Sequence, residues 1–186
     1  MKRPYLIDRL IVKIKRMPYR KGYGIHSPFA YQFVTKVIYG KLPKEQRKSL
    51  SKLPARQRRI EALLLRAATE QQVSRVFIEK EISPAIRQLL NQVKSVQSIE
   101  QWQPSIENAI VYSDVKQFLT LHANELTDIY SQTKVFLTDI RTNFENRLLW
   151  DECKRMEAVR VSFDLYDLGI LVFDTKLQKQ DYLISF

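Results

Sequence analysis

RVFIEKEISPAIRQLLNQVKSVQSIE, residues 75–100, decides the fold. Residues 75–79 (RVFIE) read as a short buried strand, because branched and aromatic side chains fill its centre. Ser83 and Pro84 then open a helix running to about residue 93: a serine oxygen accepts from a free N–H of the first turn, and proline fits the first helical position. Residues 95–100 (SVQSIE) return as a second strand. Downstream the alternation continues, with a strand at 109–114 (AIVYSD), a helix at 115–131 and a strand at 134–139 (KVFLTD). Thr142 and Glu145 have the spacing of a capping box, which predicts a helix ending near Met156. Two further apolar runs, 159–165 and 168–173, lie too close together for a parallel crossover and are expected to pair antiparallel. Residues 182–186 add an edge strand. Alternating strands and helices predict an α/β fold, with a mainly parallel sheet, helices on both faces and a C-terminal antiparallel hairpin.

Upstream the chain changes character. Residues 1–59 carry 17 Lys and Arg against Asp8 and Glu45, a net +15, whereas the remainder is mildly acidic at −4. Leu6, Ile7, Leu10, Ile11 and Ile14 recur at helical spacing over residues 5–17 and need a surface to cover them. Ser27 and Pro28 predict a helix over 28–39 with Phe29, Phe33 and Val37 on one stripe, closed by Gly40 in the left-handed conformation. Residues 41–59, interrupted by Pro43 and Pro54, read as a linker or a short solvated helix. A longer apolar helix follows over 56–69 through Ile60, Leu63, Leu64 and Ala67. The expected division is a basic helical N-terminal arm and linker, 1–59, and an α/β domain, 60–186.

The lone Cys153 excludes an internal disulfide, and His26 and His122 give no metal-ligand spacing with it, so a reducing cytoplasmic compartment and no metal are expected. No run reaches the ~20 apolar residues that span a bilayer. The basic arm raises the expectation of an anionic partner, behind the plainer expectation that it docks on the acidic body or keeps the chain soluble.

Three pieces, GIHSPFAYQFVTKVIYG, TDIRTNFENRLLWDECKRMEAVRVSFDLYDLGILVF and KQDYLISF, resemble a family of class I S-adenosylmethionine-dependent methyltransferase-like proteins typical of Bacteroidetes. The likeness rests on the helix-starting HSPF motif, the acidic turn after a late sheet strand, the Trp-bearing helix and the closing hairpin. It covers the two ends of the chain and matches the middle by order of elements. The resemblance implies a Rossmann-like methyltransferase fold in which RVFIE is the first strand, followed in working members by a glycine-rich turn that lets backbone N–H groups approach the cofactor. Here that turn is Glu79-Lys80-Glu81-Ile82-Ser83-Pro84, and no glycine occurs between Gly40 and Gly169. The expected site is therefore degenerate. Glu79 and Glu81 add negative charge at the helix start, where Glu81 could take the place of the cofactor's carboxylate; both also suit an ordinary first turn. The resemblance assigns Glu100 to ribose binding, with Asp114 and Asp139 as catalytic candidates at strand ends. A solvated strand end, an N-cap and a turn residue are the respective plain alternatives. Only 8 residues separate Glu100 from Ala109, fewer than the ~10 of a crossover helix, so the fold is expected to be shortened by a strand and its helices.

Three functions follow. The leading expectation is a non-catalytic binding or assembly module, a homo-oligomer with no bound cofactor. The second is a small-molecule methyltransferase using S-adenosylmethionine. The third is nucleic-acid binding by the arm, with Tyr19 and Tyr23 as stacking platforms between cations.

Overall fold

In a computed structural model, residues 24–93, 96, 98–100, 108–122 and 133–186 are described. The amphipathic helix expected at 5–17 and the arm tyrosines Tyr19 and Tyr23 lie outside them. The strands are β1 (Arg75–Ile78), β2 (Ser98–Glu100), β3 (Ala109–Asp114), β4 (Lys134–Thr138), β5 (Val161–Asp164), β6 (Leu168–Val172) and β7 (Gln180–Leu183). They form one sheet in the order β2-β1-β3-β4-β6-β5-β7. β6 alone runs antiparallel, inserted between β4 and β5, and β7 pairs parallel with β5 at the edge. This is a Rossmann-like α/β sheet with the expected C-terminal hairpin.

Among the described residues six α-helices cover it: α1 (Pro28–Gln32), α2 (Lys44–Ser49), α3 (Ala55–Glu70), α4 (Pro84–Asn91), α5 (Val115–His122) and α6 (Phe144–Arg155). Strand alternation sorts the core into two halves. On one face Val76, Ile110, Phe136, Phe163 and Ile170 pack with α1, α3 and α4. On the other Phe77, Val111, Val135, Leu137 and Leu171 meet Phe118 of α5 and Trp150 and Cys153 of α6. Burying a side chain of this size contributes roughly 1.5–3 kcal/mol. The domain division expected between residues 59 and 60 falls inside α3, and Phe33, Val34, Val37 and Leu50 join the same core as the sheet.

Ser27 caps α1, accepting from Ala30 N at 3.3 Å. The helix then widens into a π-helical turn over Phe33–Ile38, where Tyr39 N donates to Val34 O. Gly40 does not close it in the left-handed conformation as expected; among the described glycines only Gly24 has positive φ. Glycine is required there by close approach, since a Cβ would overlap the Lys36 carbonyl. Instead Arg66 of α3 supplies the cap, donating from Nε to Val37 O at 2.6 Å and from Nη2 to Ile38 O at 3.0 Å. The capping box expected at Thr142 is also replaced. Asn143 is the N-cap of α6, accepting from Asn146 N at 2.7 Å, while the Thr142 hydroxyl turns to Asp139.

Candidate functional site

In an open α/β sheet, ligands bind outside the carboxyl ends of the parallel strands. At that edge the β1–α4 turn is pinned to the neighbouring strand: the N–H groups of Glu79 and Lys80 both donate to Tyr112 O, at 3.0 and 3.3 Å. Ser83 caps α4, accepting from Ile86 N at 3.2 Å. Its own N–H donates to Glu61 Oε1 at 2.9 Å, and its hydroxyl donates to Glu61 Oε2. Gln57 Nε2 adds a bond to Oε1 at 2.9 Å. Glu61 is 1% exposed, so a carboxylate from α3 fills the start of α4, where partial positive charge favours an anion. Sequence reasoning looked to Glu81 for this place and missed Glu61. The available signal was an acid at i−3 and i−4 to Leu64 and Leu65, on the stripe that α3 buries.

Asp139, just past β4, takes a left-handed conformation (φ 63°). Lys80 Nζ from the β1–α4 turn pairs with Oδ2, and Arg56 Nη2 from α3 reaches Oδ1 at 2.9 Å. The hydroxyls of Thr138 and Thr142 donate to the same carboxylate at 3.1 and 3.3 Å. Burial pushes its carboxyl up, but hydrogen bonds and charge from Lys80 and Arg56 outweigh this and hold it down at about 2. Arg56 continues to Asp167 at 3.4 Å, which Arg59 also meets at 3.2 Å. A line of ion pairs thus runs along the carboxyl edge from the β1 turn to the β5–β6 hairpin. Arg141 pairs with the buried Asp164 at that hairpin, whose other oxygen accepts from Tyr166 N at 2.9 Å. Tyr112 has its phenol pushed up by burial and by the charges of Glu61 and Asp139, so it stays protonated.

The other expected residues are dispersed. Asp114 ends β3 and accepts from Lys116 N and Gln117 N at 3.0 and 2.9 Å, the geometry of an N-cap. Gln117 Nε2 in turn donates to Glu79 O at 3.1 Å. Glu100 ends β2 beside Phe77 in register; its side chain lies outside the description. Asp114 and Asp139 end adjacent strands, yet one carboxylate holds backbone N–H groups and the other two cations. A groove of about 530 Å³ lies beside the edge, against the π-helical turn, α2 and α3, and Arg59 belongs to both.

Fold and edge together define a Rossmann-like α/β protein whose carboxyl edge is crossed by its own side chains. No family model, curated protein or solved structure matches the chain.

Proposed function

We propose that this chain is a methyltransferase-like protein that serves as a non-catalytic binding or assembly module of the cytoplasm, self-associating as a homo-oligomer. The observation that carries the reading is the Glu61 carboxylate on Ser83 at the start of α4. S-adenosylmethionine does not fit such an edge. The turn lacks glycine, a resident carboxylate satisfies the N–H that a ligand would use, and the Lys80–Asp139 pair spans the space between β1 and β4. The alternative, a small-molecule methyltransferase, is disfavoured because a general base works best near the operating pH. Asp139, at about 2, lies far below it.

The test is calorimetric titration of the whole chain with S-adenosylmethionine and S-adenosylhomocysteine. No saturable heat is expected up to about a millimolar, equivalent to ~4 kcal/mol of binding. Micromolar affinity for either ligand would overturn the non-catalytic reading.

Nucleic-acid binding by the arm is the second reading. Lys36, Lys41, Lys44, Arg47, Lys48 and Lys52 are all exposed and favour it. Association with mixed RNA should then fall steeply with added salt, as released counterions require.

A further inference from the structure

The groove of about 530 Å³ lies outside the sheet edge and has a composition of its own. Its apolar wall comes from Ile38, Leu42, Leu50, Ala62 and Phe186. Around it stand Lys41, Arg47, Arg58, Arg59 and Arg66, and no Asp or Glu lines it. The volume falls in the range of small-molecule sites, roughly 300–1,000 Å³. We propose that this groove binds an amphipathic anion, a carboxylate or phosphate monoester carried on an apolar chain, with the chain against the Leu42–Leu50–Phe186 wall and the head among the arginines.

The charge pattern argues for this occupant. Five cations beside a low-dielectric wall focus positive potential into one concavity, and only Arg59 has a carboxylate partner, Asp167, among the described residues. Arg66 is fixed by its two bonds to the π-turn carbonyls, which leave Nη1 with no acceptor among the described residues. Burial lowers it to about 10, so it is charged at neutral pH. Arg58 donates from Nη1 to Ser51 O at 3.2 Å, which positions the fork at the rim. Lys41 and Arg47 are exposed and have no acceptor among the described residues. Guanidinium forks held in this way suit carboxylate and phosphate oxygens.

The experiment is calorimetric titration of the full chain with decanoate and decyl phosphate, with decanol and decyltrimethylammonium as controls. Saturable one-site binding is expected for the two anions and none for the controls. The Arg47→Gln/Arg58→Gln double variant, changed at exposed positions, should weaken it at least tenfold with the fold intact by circular dichroism. Ala62→Trp should abolish it by filling the wall. Sedimentation with phosphatidylglycerol vesicles separates the sources: uptake lost in both variants, without binding of the free amphiphiles, assigns the head group to membrane lipid. Equal binding of decanol, anion binding unaffected by the double variant, or vesicle uptake that survives both variants would overturn the proposal, as would no binding in any arm.

Discussion

Replacing Asp139 with asparagine tests whether the ion pairs along the carboxyl edge contribute to stability. Asparagine tolerates the left-handed conformation that Asp139 adopts, so Asp139→Asn removes the charge and leaves the turn. The folded carboxyl titrates at about 2 against ~3.9 in an unfolded chain, and one unit corresponds to about 1.36 kcal/mol. The upper bound is therefore roughly 2.5 kcal/mol. Lys80 and Arg56 are 35% and 42% exposed, and solvent screening reduces the expectation to about 1–2 kcal/mol. Because the folded value is depressed, the contribution is fully present above the unfolded value and is lost as pH falls from ~4 towards 2. Urea unfolding of both proteins should show the variant less stable by that amount at about pH 7, with an unchanged slope. The difference should shrink steadily below about pH 4 as wild-type Asp139 protonates. A difference that is absent at neutral pH, or that stays constant down to about pH 2.5, would refute the reasoning.

Gly169→Ala should destabilise the protein by about 2–4 kcal/mol, because the new Cβ would stand 2.5 Å from Cζ3 of Trp150, whose ring is 1% exposed; urea unfolding checks the loss and near-ultraviolet circular dichroism the displaced ring. Burial, with the charge of Glu152, pushes the Cys153 thiol up to about 12. It should therefore resist an aromatic disulfide reagent at about pH 8 until urea unfolds the chain, with labelling and unfolding sharing one midpoint.

Local chemistry in the sequence reaches some of these features and not others. The Ser27 and Ser83 caps, the 109–114 strand and the antiparallel hairpin are short-range patterns, in which side-chain oxygen, N–H and proline lie within three residues of one another. Asn143 displaced Thr142 as the cap of α6 because the Thr142 hydroxyl found Asp139 three residues before it, a competition that a capping-box spacing does not encode. The position of Gly40 after a helical run suggests a conformational glycine, yet glycine is needed there for the close approach of its own π-turn and of Arg66, which lies 26 residues further on. The edge contacts are longer-range still. Glu61 to Ser83 spans 22 residues, Lys80 to Asp139 spans 59 and Arg56 to Asp139 spans 83. Charged residues on a helix or turn are ordinarily solvated, and nothing local marks Arg56, Lys80 or Arg141 as partners of strand-end acids.

These contacts also satisfy the polar groups that the carboxyl edge of the sheet leaves open. A turn lacking glycine still leaves N–H groups at the start of α4, and an unsatisfied buried donor costs about 1–3 kcal/mol. Glu61 meets that donor from α3 and is itself satisfied by three hydrogen bonds from Ser83 and Gln57. A buried carboxylate with those bonds is tolerable, whereas one without them is not. Around Asp139 the logic is electrostatic. Its carboxylate lies between Lys80 and Arg56, so any anion entering there must displace an acid already neutralised by two cations. The two closures rest on different residues, one almost fully buried and one partly exposed. Removing the Asp139 charge would therefore weaken the line of ion pairs while leaving the Glu61 bonds at the helix start in place.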